Sequence, residues 1–360
     1  MNNLTNDLQA QILAAYKNKT HCRIEGGNSK AFIGNAPPDS QASINISTAE
    51  HTGIISYDAS ELVITARSGT TLHEIKQALA ENNQSLPFEP PSFADSATIG
   101  GTIACNLSGP ARAYSGAARD FVLGSRIING KGDDMQFGGQ VMKNVAGYDA
   151  SRLMAGAYGT LGLILEVSLK VLPLAQTEIT IKSQQHINSA IKNINALSAQ
   201  NWPISASVYL DGHLYIRLNS SEMNCLSASQ AISQKINATE IADSKAFWTS
   251  ITEQQHAFFD TSQSIARLSL PATAEDIEPG GEQLIEWGGA LRWLKTDLPI
   301  QQLRDTARTL GGHVTAYKNY PQATEYFQPL APGMHSLHQR LNKAFDPAGI
   351  LNPGRLYKEL

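Results

Sequence analysis

The sequence is poor in the residue types that fix a chemistry by themselves. It has three cysteines, Cys22, Cys105 and Cys225, far apart and with no C-x-x-C pair. That argues against a disulfide framework. Three thiolates also cannot supply the four that an iron–sulfur cluster takes, so any cluster on an electron path through this chain sits on another protein. Charge of one sign is lacking too: 28 basic residues against 32 acidic leave a formal net charge of -4, which gives no reason to expect nucleic acid or an anionic membrane as a partner. No apolar run approaches membrane-spanning length. Residues 1–20 lack the basic start and apolar centre of a signal peptide and read as an amphipathic helix. A soluble, bacterial-style cytoplasmic protein is expected. The sequence also lacks the Walker A spacing, the G-x-G-x-x-G fingerprint, H-E-x-x-H and any usefully spaced Ser/His/Asp set.

What is present is enough apolar residue, 42%, for more than one core, and glycine in an uneven distribution. Thirteen of the 28 glycines fall between Gly100 and Gly162. Glycine permits positive φ and close backbone approach, so this stretch is either a set of loops closing on a ligand or a turn-rich sheet.

The pattern predicts strands over 22–24, 61–66, 121–129 and 162–172, and a helix over 71–83 with Leu72, Ile75 and Leu79 on one face. In 162–172, Leu163, Leu165, Val167, Leu169 and Val171 face one way and Glu166, Ser168 and Lys170 the other. After Pro173 the character changes. A strand is expected over 176–183, a helix over 188–199, and a hairpin over 205–218 turning at Asp211-Gly212. A second hairpin turns at Gly288-Gly289, a helix runs over 300–310 to the Gly311-Gly312 stop, and a strand is expected over 313–318. Near the end, Leu337, Leu341 and Phe345 share one side of a short helix, and a turn-rich FDPAGILNPGR comes after it. The fold class is α+β. A first part covers residues 1–174, an antiparallel α+β cap 175–334, and a segment that returns to the first part 335–360.

Three constellations carry chemistry. In EGGNSK a strand runs into a glycine turn; the N–H groups of Gly26, Gly27 and Asn28 can cradle a pyrophosphate, with Ser29 adding a hydroxyl and Lys30 next in line. An ordinary turn would read the same. The second runs from Pro90-Pro91 through Thr98, Gly100, Gly101, Ala104, Asn106, Ser108 and Gly109, where small residues let a flat ligand lie on the backbone, and on to Gly116, Asp120 and Val122. The third is KNVAGYD with Lys143, then GTLGLI with Gly159, Gly162 and Ile164.

The order of these segments resembles the flavoproteins of the PCMH-type (vanillyl-alcohol oxidase) fold. GGNSK looks like their pyrophosphate loop. ATIGG, N-x-SGP and RDFVLG look like the isoalloxazine and ribityl side, GTLGLILEV like the strand at the adenine half, and FDPAGILNPGR like the C-terminal signature of the FAD-linked oxidases. GNSKAFIG, ELVITARSGT, PFEPPSF, GEQLIEWGGALRWLK and NPGRLYKEL are similar, nearly end to end, to the FAD-binding E subunits of bacterial glycolate dehydrogenases. The resemblance implies FAD as cofactor. It also implies a complex in which a second flavoprotein subunit oxidises a small 2-hydroxy acid and an iron–sulfur subunit passes electrons toward quinone, with any membrane contact made through those partners. Histidine or cysteine attaches the flavin covalently elsewhere in this fold; Asn28 and Ser29 stand in this loop instead, so FAD is expected to be non-covalent.

Relatives that oxidise D-2-hydroxy acids carry an H-G-x-x-G-D-G-N-x-H metal motif. None of the nine histidines here lies in such a context. His335 and His338 can share a helix face, but no carboxylates flank them to complete a metal site. No metal site and no catalytic residue is assigned, and the chain is expected to bind FAD without itself oxidising glycolate. A self-sufficient D-lactate or D-2-hydroxyglutarate dehydrogenase and a flavin-poor scaffold subunit are the rival readings. Lys143 reads either as a flavin neighbour or as part of a structural turn with Tyr148 and Asp149. Arg292 reads as an anion or stacking residue or as an exposed strand arginine, Arg355 as a diphosphate contact or a structural cap, and Cys105 as a small packing residue.

Overall fold

The computed structural model describes residues 1–36, 43–139, 149–277, 281–321 and 324–359. The chain opens with helix α1 (Thr5–Asn18), strands β1 (His21–Glu25), β2 (Ser43–Ser47), β3 (Ile54–Asp58) and β4 (Val63–Arg67), and helix α2 (Leu72–Ala80). Next come β5 (Gln84–Ser85), α3 (Ile99–Cys105), α4 (Arg112–Ser115), β6 (Val122–Ile128), β7 (Asp134–Gly138), β8 (Leu163–Lys170) and β9 (Leu172–Pro173). Strands β3-β4-β8-β6-β7 form an antiparallel five-stranded sheet, while β1 and β2 pair in parallel beside it.

The second half contains β10 (Thr177–Gln184), α5 (Ile187–Ser198), β11 (Ile204–Leu210), β12 (His213–Ser220), α6 (Glu222–Ile236), β13 (Thr239–Glu240) and α7 (Ser244–Thr252). It continues with β14 (Ser264–Ser269), β15 (Gln283–Glu286), β16 (Leu291–Thr296), α8 (Ile300–Thr309), β17 (His313–Lys318) and α9 (Pro332–Phe345). These eight strands form one antiparallel sheet, ordered β13-β10-β12-β11-β15-β16-β14-β17. The fold is α+β, as the pattern implied. The hairpin at Asp211-Gly212 forms with both residues at positive φ, 49° and 72°, the combination a two-residue turn of this hand requires. Among the described residues, no helix is long and apolar enough to cross a membrane.

Strand β8 departs from its expected alternation. Its register with β6 shifts between Arg126↔Glu166 and Ile127↔Ile164. The extra residue at Leu165 is a bulge, and a bulge swaps the faces of the residues on its far side. Leu163 and Leu165 therefore pack with α1 through Leu8 and Ile12, whereas Ile164, Val167 and Leu169 join the larger core under α2 and α3. The strand is buried on both faces, so one apolar side and one polar side was the wrong reading.

A third core, between the two sheets, gathers Ile33, Phe93, Leu107 and Tyr158 from the first half with Trp248, Trp293, Tyr317 and Tyr326 from the second. Polar contacts cross the same junction. Buried Arg217 of β12 pairs with Glu89 at 2.6 Å, Glu253 accepts hydrogen bonds from the N–H groups of Ser92 and Phe93, and Trp287 Nε1 donates to the Gly109 carbonyl at 2.9 Å.

Candidate functional site

Strand β1 ends at Glu25 and releases the chain into the GGNSK turn, which faces the start of α3. The glycines are demanded by crowding. A Cβ on Gly27 would lie 1.4 Å from the Ser96 carbonyl oxygen, and one on Gly26 would lie 2.6 Å from Thr98 Oγ1. Thr98 caps α3, its hydroxyl accepting from Gly101 N–H, and Asn28 is held at φ 56°. A groove runs along this contact. One stretch of it is walled by Gly26, Gly27, Asn28, Ser29, Lys30, Thr98, Gly101, Ala104, Cys105, Tyr158 and Arg355. The next is walled by Gly100, Gly101, Ala104, Gly159, Gly162 and Ile164, with Thr48, Ser68 and Asn352. A further lobe of about 610 Å³ opens over β1 toward Pro353 and Arg355.

Lys30 is 6% exposed, and among the described residues its ammonium has no ion-pair partner. It makes only long hydrogen bonds, 3.4 Å to Ser29 Oγ and 3.3 Å to the Ser92 carbonyl, and lies 5.6 Å from the centroid of the Phe93 ring. Burial pushes its pKa down to about 8, against the pull of Glu253. A buried cation without an anion is costly, and here it faces a groove. Ser68 Oγ is also buried in the groove wall, with no partner among the described residues. Glu25, a carboxylate beside the glycine turn, is already engaged by Arg23 at 2.6 Å and Asn28 Nδ2 at 2.9 Å. Backbone bared by glycine, a free hydroxyl and an unneutralised ammonium fit a dinucleotide with its diphosphate at the turn.

The C-terminal segment closes one side. Cys22 N–H donates to the Ile350 carbonyl and Asn352 N–H to the Cys22 carbonyl. The Asn352 side chain ties β1 to the Tyr158 carbonyl, at 2.7 Å on each side. Arg355 lines the groove, but its guanidinium donates to the Asn35 and Ala31 carbonyls, so it braces the loop just past Lys30. Burial pushes the Cys105 thiol up to about 11, which keeps it protonated.

Pro91, Ser108 and Gly109 lie elsewhere, on a cavity between the two sheets. Pro90 is buried, and Val122 lies inside the main core. Asn106 and Ser108 spend their side-chain oxygens on the N–H groups of Arg119 and Ala118. Asp120 accepts from Ala117 N–H, and Gly116 sits against it at φ 115°. Lys143 and Tyr148 lie outside the described residues; Asp149 accepts from Ser151 and pairs with Arg152. Arg292 is neither an anion site nor exposed: it is fully buried and donates to the carbonyls of Gly289, Ala274 and Glu275. His335 pairs with Glu359 and His338 packs on Tyr357. Among the described residues, no group of three or more metal-ligating side chains could hold a metal ion.

Known proteins agree with this outline. Residues 4–138 match the FAD binding domain family. Glycolate oxidase subunit GlcE of Escherichia coli (strain K12) is 43% identical over 353 residues, 98% of this chain and 97% of that protein. Glycolate oxidase subunit GlcD of Bacillus subtilis (strain 168) is 32% identical over 147 residues, 41% of this chain and 31% of its own length. Among solved structures, p-cresol methylhydroxylase with substrate bound superposes with a TM-score of 0.74 at 13% identity, covering 98% of this chain and 87% of that one. Alkyldihydroxyacetonephosphate synthase superposes at 0.69 with 16% identity, covering 98% and 76%. At such identities the likeness is one of fold. The likeness to GlcE, spread over nearly the whole of both chains, reaches further: this chain belongs to the GlcE family of glycolate oxidase subunits, and is an FAD-binding oxidoreductase subunit of PCMH-type fold.

Proposed function

We propose that the chain holds FAD non-covalently in the glycine-walled groove, as one subunit of a complex that oxidises glycolate to glyoxylate, and that the oxidation itself takes place on a partner flavoprotein subunit. The observation that carries this is the 43% identity to a glycolate oxidase subunit over 98% of the chain. The unneutralised Lys30 in the groove supports the cofactor's place. Gly26, Gly27, Asn28, Ser29 and Lys30 take the diphosphate. Thr98, Gly100, Gly101 and Ala104 form the floor, and Gly159, Gly162, Ile164 and the backbone braced by Arg355 take the adenosine half. Pro91, Ser108 and Gly109 support the side toward the ring from the adjoining cavity, and Pro90, Asn106, Gly116, Asp120 and Val122 hold those segments in place. Residues 1–174 then act as the FAD-binding part, 175–334 as the cap and 335–360 as its closing segment.

FAD supplies an acceptor for an electron pair that can be passed on one electron at a time. Lys30 balances the diphosphate charge, and the glycines admit the cofactor to the backbone. The three cysteines leave any cluster to an iron–sulfur partner, from which electrons go toward quinone; the complex is cytoplasmic, peripheral to the membrane through its partners. The test is an anaerobic visible spectrum of the purified chain before and after glycolate, then with the partner flavoprotein subunit added. A flavin spectrum unchanged by glycolate alone and bleached once the partner is present supports the reading. Bleaching without the partner makes this chain a dehydrogenase in its own right, and a chain that takes up no FAD removes the cofactor from the groove.

A further inference from the structure

The segment 89–93 lies between the groove and the second half of the chain, and its backbone is costly to hold. Glu89 and Phe93 stand at φ 45° and 60°, a region that residues with a Cβ rarely occupy. Contacts from the second half meet both ends. Arg217 pairs with the Glu89 carboxylate at 2.6 Å, and Glu253 Oε2 accepts from Ser92 N–H at 2.9 Å and from Phe93 N–H at 2.8 Å. The Ser92 carbonyl accepts from Lys30 Nζ, and its hydroxyl from Lys76 Nζ, both at 3.3 Å. Two ammonium groups of the first half and a carboxylate of the second thus meet on one residue. Glu253 is an odd choice for its own helix. It is the C-cap of α7, where the helix dipole disfavours a negative charge. What it gains there is the pair of N–H donors across the junction.

We propose that Glu253 is a positioning residue for the groove: by fixing segment 89–93 it holds the Ser92 carbonyl against Lys30, so that a residue of the second half sets how tightly a groove outside that half holds an anion. That this anion is the FAD diphosphate rests on the proposed placement of the cofactor. The carbonyl steers the ammonium without neutralising it, because an uncharged oxygen at 3.3 Å is a weak acceptor beside a phosphate. Glu253 also acts through its charge, opposing the burial that lowers the Lys30 pKa, whereas Lys76 works against the ammonium. The other groups on this stretch of the groove are settled. Burial keeps Cys105 and Tyr158 protonated, Glu25 is held by Arg23, and Arg355 donates to backbone carbonyls. Loss of the Glu253 carboxylate therefore has two effects of one sign: segment 89–93 is released, and the ammonium gives up its proton at lower pH.

The full-length chain, freed of flavin, is titrated with FAD. Glu253→Gln keeps the size and one oxygen acceptor for the N–H groups of Ser92 and Phe93, which guards against a folding defect, and loses the charge. It is expected to raise the dissociation constant for FAD about threefold to tenfold and to bring the alkaline loss of affinity to lower pH than in the wild-type chain. In a Lys30→Met background the same substitution should lose most of its effect, because it acts through the ammonium. The Lys30 titration is also read without FAD, from the ε-carbon NMR signal that Lys30→Met removes, and should move to lower pH in Glu253→Gln. Equal FAD affinity in Glu253→Gln and wild type, an equal loss in both backgrounds, or an unmoved Lys30 titration would each overturn the proposal and leave the cofactor reading standing. A wild-type chain that takes up no FAD, while its Lys30 titration moves with Glu253, would remove the cofactor reading and keep the positioning of Lys30.

Discussion

On the proposed placement of the diphosphate, Lys30 is unfavourable in the free chain and useful in the loaded one. Its burial costs stability until an anion arrives, so Lys30→Met is expected to leave the free chain at least as stable to urea while raising the dissociation constant for FAD about tenfold or more. In the wild-type chain the FAD affinity should fall as pH rises above about 8, because the free-state ammonium is lost there; fluorescence titration across that range, with the methionine variant as the pH-insensitive control, checks both. His51 supplies a second titration. It is fully buried, accepts from Leu4 N–H at 3.0 Å and so anchors the chain just ahead of α1. Burial, with Arg67 and Arg126 nearby, pushes its pKa down to about 4. Between pH 6.5 and 4 the unfolded chain binds the extra proton, so stability is full above 6.5 and declines as pH falls, by up to about 3 kcal/mol. Urea unfolding at several pH values should show this slope, and His51→Gln should flatten it. At this scale the sequence was legible where one segment builds its own feature, as in GGNSK. It was silent on Ser68, Tyr158 and Asn352, which reach the groove only because strands and loops far apart in sequence come together around β1.

Elements with their own signals were readable, and the others were not. Helix α2 carries its start in Thr71-Leu72-His73-Glu74, a reciprocal cap in which Glu74 N–H donates to Thr71 Oγ1 and Thr71 N–H to Glu74 Oε2. Thr71→Ala should cost about 1 kcal/mol in chemical denaturation. Helix α3 was hidden by the adjacent Gly100 and Gly101, which lower helix propensity, and its small residues read as open backbone. It is both helix and groove wall, with packing on Ser68 keeping Gly100 free of a side chain. In β8 the alternation of apolar residues looked regular because a bulge leaves no mark in composition. Only pairing with β6 shows that Leu165 is the extra residue. Strand β2, with four of its five residues exposed, owes its place to pairing with β1 and not to an apolar pattern of its own.

For the molecule as a whole, the junction between the two sheets decides whether the halves act as one body. The Glu89–Arg217 pair crosses it with the arginine buried and the carboxylate partly open to solvent. Neutralising Glu89 leaves the buried guanidinium only the 3.9 Å contact with Glu178 as an ion pair, so Glu89→Gln should lower the unfolding free energy by about 1–2 kcal/mol once discounted for that exposure. A split unfolding transition in calorimetry would show that the halves had come uncoupled. The change of character after Pro173 coincides with the start of the second sheet at Thr177; the aromatic core between the sheets was not legible, because its members are scattered from Ile33 to Tyr326.

The seam between β1 and the segment carrying Asn352 has a consequence for how such a protein is made. The groove's first strand leaves the ribosome more than 300 residues before the segment that completes its wall. At ordinary translation rates the gap is roughly a quarter of a minute to a minute. For that interval the glycine turn is present but the wall behind it is open, so on the proposed placement of FAD its capture waits on synthesis, and a stalled or shortened product would be born colourless.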